Sequence, residues 1–151
     1  MENSQAHVQE MLASARENLV TIAENSNLIE AAKLLSSGTD ILVVCDADGV
    51  VQGVVTKTDV VRQIGADAGT NHFGQIAAIM TRDVLFCQAN DLLHNVSIQM
   101  KARHLKNVPV IDGNNRPIGL LTARAILRVL LSEAEYQESQ LIDYVKGVGY
   151  R

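Results

Sequence analysis

The chain repeats itself at a fixed spacing. Gly53-Val54-Val55-Thr56-Lys57-Thr58-Asp59 returns as Gly119-Leu120-Leu121-Thr122-Ala123-Arg124-Ala125, 66 residues later (119 − 53). At the same offset Val43-Val44-Cys45-Asp46 returns as Pro109-Val110-Ile111-Asp112, and Asp59-Val60-Val61-Arg62 as Ala125-Ile126-Leu127-Arg128. Two apolar runs around a turn, followed by a change to helical period, make one β-β-α unit used twice. With 151 residues, 47% hydrophobic and 20% charged, there is core for one body of two halves and too little for two independent domains.

Composition narrows the function. A net charge of −4 and no run of Lys or Arg argue against a nucleic-acid partner, whose phosphates need a basic face. No apolar run approaches the roughly 20 residues that span a bilayer. The polar start Met1-Glu2-Asn3-Ser4-Gln5 has no apolar signal region behind it, so a cytoplasmic protein without membrane contact is expected. Cys45 and Cys87 lie in apolar runs without Cys-x-x-Cys spacing and are read as buried free thiols. His7, His72, His94 and His104 are scattered without metal-ligand spacing. Asp46-Ala47-Asp48-Gly49 lacks the later ligands of a calcium loop and is read as a hairpin turn. No metal site is expected. No nucleophile stands with a base in a supporting motif, so no catalytic residues are assigned and the chain is not expected to be an enzyme.

In order, Val8, Met11, Leu12 and Ala15 form the apolar stripe of a helix over about 4–17. Leu19 to Ile22 reads as a strand. Asn27 with Glu30 caps a helix through Leu35 that Gly38 ends. Ile41–Cys45 and Val50–Val55 read as a hairpin, and the helix from Thr56 is expected to close at Gly65. Residues 65–74 look like a linker, with a short helix near Phe73–Met80 behind it. The second half replays the order: strand Val84–Cys87, helix Asp91–His104, strands Val108–Ile111 and Pro117–Leu121, and a helix from Thr122. That last helix continues its stripe through Leu127, Leu130, Leu131, Ala134, Leu141, Ile142 and Val145. Helices added at each end either cover the chain's own sheets or meet a second copy.

The duplicated motif, each copy preceded by an apolar strand ending in Asp46 or Asp112, together with Ile79-Met80-Thr81-Arg82-Asp83 heading the second copy, resembles a pair of CBS (cystathionine-β-synthase) domains. The resemblance covers about residues 18–132: repeat one about 18–66, linker about 66–78, repeat two about 79–132, with a helical extension over about 133–146. It implies an α/β fold of two β-α-β-β-α repeats packed about a pseudo-two-fold, a homodimer, and two clefts that hold an adenosine-containing ligand in many relatives. On that pattern Thr56 and Lys57 would meet a phosphate at the helix start and Asp59 the ribose hydroxyls. Met80, Val84, Leu85, Asn107, Val108 and Pro109 would line the adenine slot. The second cleft is degenerate: Ala125 stands where Asp59 stands, leaving Thr122 and Arg124, bordered by Thr21.

Read without the family, Thr56-x-x-Asp59 is better taken as a capping box whose hydroxyl and carboxylate satisfy the first helical N–H groups. A cap and a ligand site are compatible. The expectation is therefore a regulatory module that binds AMP, ADP, ATP or another adenosyl compound, needs no cofactor, and signals to an unknown effector protein through conformation or oligomeric state. The alternative is a non-catalytic scaffold with vestigial clefts.

Overall fold

The computed structural model describes residues 6–67 and 74–149. A single 3-10 turn, Val8–Met11, leads into α1, Leu12–Asn18. The first half then runs β1 Thr21–Ala23, α2 Leu28–Leu35, β2 Ile41–Cys45, β3 Val51–Thr56 and α3 Lys57–Asp67. After a 3-10 turn at Ile76–Ala78, the second half runs α4 Leu93–Ala102, β4 Asn107–Ile111, β5 Pro117–Thr122 and α5 Ala123–Gly149.

The repeat shows in the details of the backbone. β2 pairs antiparallel with β3 and β4 with β5, and each ladder shifts register at the same place, between Val44 and Cys45 and between Val110 and Ile111. The Asp46 carboxylate accepts the N–H groups of Asp48 and Val50, as Asp112 accepts those of Asn114 and Arg116. Those backbone bonds hold the Asp112 carboxyl below its ordinary range. Left-handed residues recur as well: Gly38 (φ 112°) matches His104 (φ 57°), and Gly49 (φ 83°) matches Asn115 (φ 62°). His104 closes α4 in a Schellman arrangement, its N–H reaching Lys101 O and the Leu105 N–H reaching Met100 O.

Each half is completed by the segment that precedes the other. The Val8 N–H donates to Asp91 O and the Leu93 N–H to Ala6 O, and Val8, Met11 and Ala15 are buried with Val96, Met100, Val108, Val110 and Leu121 of the second half. Reciprocally, Ile76 and Met80 are buried with Leu28, Leu42, Val44 and Val55 of the first half, and Thr81 and Val54 exchange both backbone hydrogen bonds. The backbone approaches these segments closely at the repeat-equivalent glycines. A Cβ on Gly53 would run into Thr81 O, and one on Gly119 would lie 2.8 Å from Ala15 Cβ. Between the sheets Ile41, Val43, Cys45, Val54 and Leu120 form a third buried cluster.

Several expectations need correction. The run Val84–Cys87 is no strand: only Cys87 bridges to Val110, in parallel, while Val84 packs on the inter-sheet cluster and Leu85 on the second-half core. Apolar character there serves packing rather than a ladder. α3 passes through Gly65 to Asp67, because an interior glycine weakens a helix by about 1 kcal/mol relative to alanine without ending it. The expected helix near Phe73–Met80 is one 3-10 turn, and Phe73 with most of the expected linker lies outside the described residues. The terminal stripe belongs to one 27-residue helix, and Leu127, Leu131, Leu141 and Ile142 stay exposed on it.

Candidate functional site

A cavity of about 990 Å³ opens where the starts of α3 and α5 face the other repeat. β3 delivers Thr56 to its rim and α3 begins at once with Lys57. The Thr56 N–H donates to Asp59 Oδ2 (3.0 Å) and the Asp59 N–H to Thr56 Oγ1 (3.2 Å), a reciprocal capping box. Arg62 Nη1 lies 3.4 Å from Asp59 Oδ1, and the Asp59 side chain keeps only 11% exposure. Carboxylate oxygens carry about two acceptor positions each, so the cap leaves room for further donors. Lys57 Nζ pairs with Asp40 Oδ1 at 3.2 Å.

The facing wall comes from repeat two. Val84, Leu85, Asn107 and Pro109 line it, so the cavity brings these together with Thr56, Lys57 and Asp59. Met80 and Val108 are not among its lining residues. Met80 is turned into the first-half core, and its neighbour Thr81 lines the cavity instead. Val108 is buried in the second-half core, because successive strand residues face opposite ways and Asn107 and Pro109 take the cavity side. Thr21 also lies elsewhere: β1 is the edge strand farthest from β3, and Thr21 is exposed there.

Thr122 and Arg124 open onto the same cavity as Thr56 and Asp59, where two separate clefts were expected. Thr122 Oγ1 accepts the Ala125 N–H at 3.0 Å, so this helix start is capped without a carboxylate. Residues not assigned to either cleft from the sequence also line the cavity, among them Asp40, Thr81, Asp83, His104 and Lys106. The repeat offset could have found two of them, since Asp40 and Lys106 are equivalent positions just ahead of β2 and β4. No group of three or more His, Cys, Asp or Glu placed to hold a metal ion occurs among the described residues. None of the described helices is long and apolar enough to cross a membrane. Both cysteines are buried and free. Burial, with the Asp91 charge behind it, pushes the Cys87 thiol up to about 12, and burial with Asp46 raises Cys45.

The sequence model of the CBS domain matches residues 8–66 and again 76–132. The chain belongs to the CBS domain family, as a pair. A solved CBS domain pair in complex with 5′-methylthioadenosine and S-adenosyl-L-methionine is 26% identical, with a TM-score of 0.69, covering 85% of this chain and 98% of that one. A CBS-domain containing protein from Agrobacterium tumefaciens is also 26% identical, with a TM-score of 0.68 and coverage of 82% and 97%. Among curated proteins, a homoserine O-acetyltransferase of Methanocorpusculum labreanum is 32% identical over 111 residues, 72% of this CBS pair. The pair spans only about a fifth to a quarter of the length of such relatives, 22% and 24% in two of them.

Proposed function

We propose that this CBS pair is a regulatory module that binds an adenosyl compound in the cavity between its repeats. The observation that carries the reading is the joining, around one cavity, of a capped helix start bearing Thr56 and Asp59 with a wall of Val84, Leu85, Asn107 and Pro109 from the other repeat. The first side offers a hydroxyl and a carboxylate to ribose, and the second offers apolar faces to a base. The related pair in complex with 5′-methylthioadenosine and S-adenosyl-L-methionine supports an adenosyl ligand. Occupancy acts on a partner only through a difference in affinity between two arrangements of the repeats or of two copies. A second copy fits the exposed apolar residues Val61 and Leu127, which occupy equivalent positions on α3 and α5. The reading places the module in the cytoplasm as a homodimer acting on an effector protein. It assigns no acetyl transfer to a chain that matches 22% of the transferase.

A second reading, a scaffold with vestigial clefts, is favoured by one observation: Thr56 and Asp59 already satisfy each other as a cap. A thermal-shift series against adenosyl compounds separates the two. Ligand at 100 times its Kd adds about 2.7 kcal/mol, which raises Tm by roughly 5–10 °C for a chain of this size. Asp59→Ala is expected to abolish that rise. A flat panel in the parent protein would leave the scaffold.

A further inference from the structure

The apolar stripe of α5 lies outside the cavity. α5 runs 27 residues, Ala123–Gly149, whereas the CBS match ends at residue 132. Helix therefore continues for 17 residues (149 − 132) past the domain, about 25 Å at 1.5 Å per residue. All side chains from Ala134 to Ile142 are exposed, so nothing in the described part of the chain covers them. A helix of that length is marginal in water unless an amphipathic face is packed. Such a face exists. Leu127, Leu131, Ala134, Glu138 and Leu141 follow one another at alternating steps of four and three, the spacing of a two-helix seam, and the three leucines are each more than half exposed.

The charges say what covers it. Arg124 and Arg128 lie in the first two turns of α5, and Glu135 and Glu138 follow them; none of the four enters an ion pair among the described residues. An antiparallel copy of the same helix answers both patterns. With Leu131 set against Ala134 of the second copy, Leu127 falls against its Glu138 and Arg124 against its Leu141. Arg128 then lies between Glu135 and Glu138 of the second copy, so the one polar residue among the five of the stripe meets a cation. A parallel copy would set Arg128 against Arg128 and Glu138 against Glu138, and like charges repel. An anionic lipid surface is disfavoured by the same acidic residues. We propose that α5 pairs antiparallel with α5 of a second copy, the tail of each lying along the exposed start of the other, the self-complementary contact that a two-fold requires. This pairing rests on the homodimer reading above and adds to it an orientation and a contact made beyond the CBS match. Leu141 of the second copy comes level with Arg124, which lines the cavity, so each tail passes the rim of the other copy's cavity.

Sedimentation equilibrium of the full chain reads the dimer dissociation constant. Leu141→Glu is expected to raise it at least about a hundredfold, since a buried leucine counts twice across the two-fold. Arg128→Glu is expected to raise it about tenfold, and Glu138→Arg in the same chain to bring it back within about threefold of the parent. All three positions are exposed, and restoration by the second change shows that the chain still folds. Orientation is read by mixing copies that carry Leu127→Cys with copies that carry Glu138→Cys under oxidised glutathione, where disulfides are expected between the two kinds. Disulfides within each kind instead would show parallel helices and overturn the pairing. A parent dimer whose dissociation constant stays within about twofold in Leu141→Glu would overturn it while leaving the homodimer in place, with an effector protein as the occupant of the tail. A parent that stays monomeric would overturn both.

Discussion

Gly53→Ala probes the interlock that holds the two repeats around the cavity. An added Cβ would run into Thr81 O and lie 3.2 Å from Met80 Sδ. That oxygen is backbone, and it can retreat only by drawing the segment around Thr81 away from β3. Two hydrogen bonds fix it there, Val54 N–H to Thr81 O at 2.9 Å and Thr81 N–H to Val54 O at 2.8 Å. Their loss costs about 1 kcal/mol each, and disturbing the packing of Met80, 8% exposed, adds about 1 kcal/mol more. Alanine returns about 0.5–1 kcal/mol through the lower entropy of the unfolded chain. The net is a loss of about 2 kcal/mol, or roughly 4–8 °C in Tm. Urea unfolding followed by circular dichroism reads it, with Gly65→Ala as the control. Position 65 is helical with open space around its Cβ, so that change is expected to stabilise by up to about 1 kcal/mol. A Gly53→Ala protein within about 0.5 kcal/mol of the parent would refute the interlock.

The other expectations concern the backbone, the thiols and the exposed helices. His104→Gly replaces a left-handed histidine by the residue that repeat one uses at the same place, and urea unfolding is expected to show a gain of about 1 kcal/mol; a loss would contradict the equivalence. In the native protein Cys45 and Cys87 are expected to stay unreactive towards a thiol reagent at pH 8 and to react fully once unfolded. Because the folded Cys87 pKa is raised from 9.0 to about 12, the unfolded chain ionises first, so its contribution to stability is whole below pH 9 and is lost as pH rises towards 12. A Tm unchanged across that alkaline window would contradict it. Val61→Glu with Leu127→Glu is expected to turn a dimer into a monomer in sedimentation. Each buried side chain is worth about 1.5–3 kcal/mol and counts twice across a two-fold. A parent that sediments as a monomer would remove the homodimer.

Much of this architecture is readable from one offset. Once Gly53 and Gly119 are aligned, the two hairpins, their aspartate turns and the helices after them fall into register, because each depends on local chemistry. The destination of α1 is not local. The N-terminal stripe of Val8 and Met11 in the 3-10 turn and Ala15 in α1 says which face is buried, and only the fold shows that the second repeat covers it. The run Val84–Cys87 misleads for a related reason, since an apolar segment packs equally well without a ladder. At the cavity, the Thr56–Asp59 cap follows from the spacing, whereas Val108 and Met80 face inward through strand alternation and a turn that the motif does not encode. Arg124 is legible in the second motif, whereas Lys106, one step ahead of β4, belongs to no motif and stands out only when it is aligned with Asp40.

The most direct measurement is an amide NMR titration of the labelled chain with 5′-methylthioadenosine. The account predicts the largest shifts at Thr56, Lys57, Thr58 and Asp59 on one wall and at Val84, Leu85 and Asn107 on the other, all abolished by Asp59→Ala. Shifts confined to residues outside the cavity, or none at saturating ligand, would contradict it.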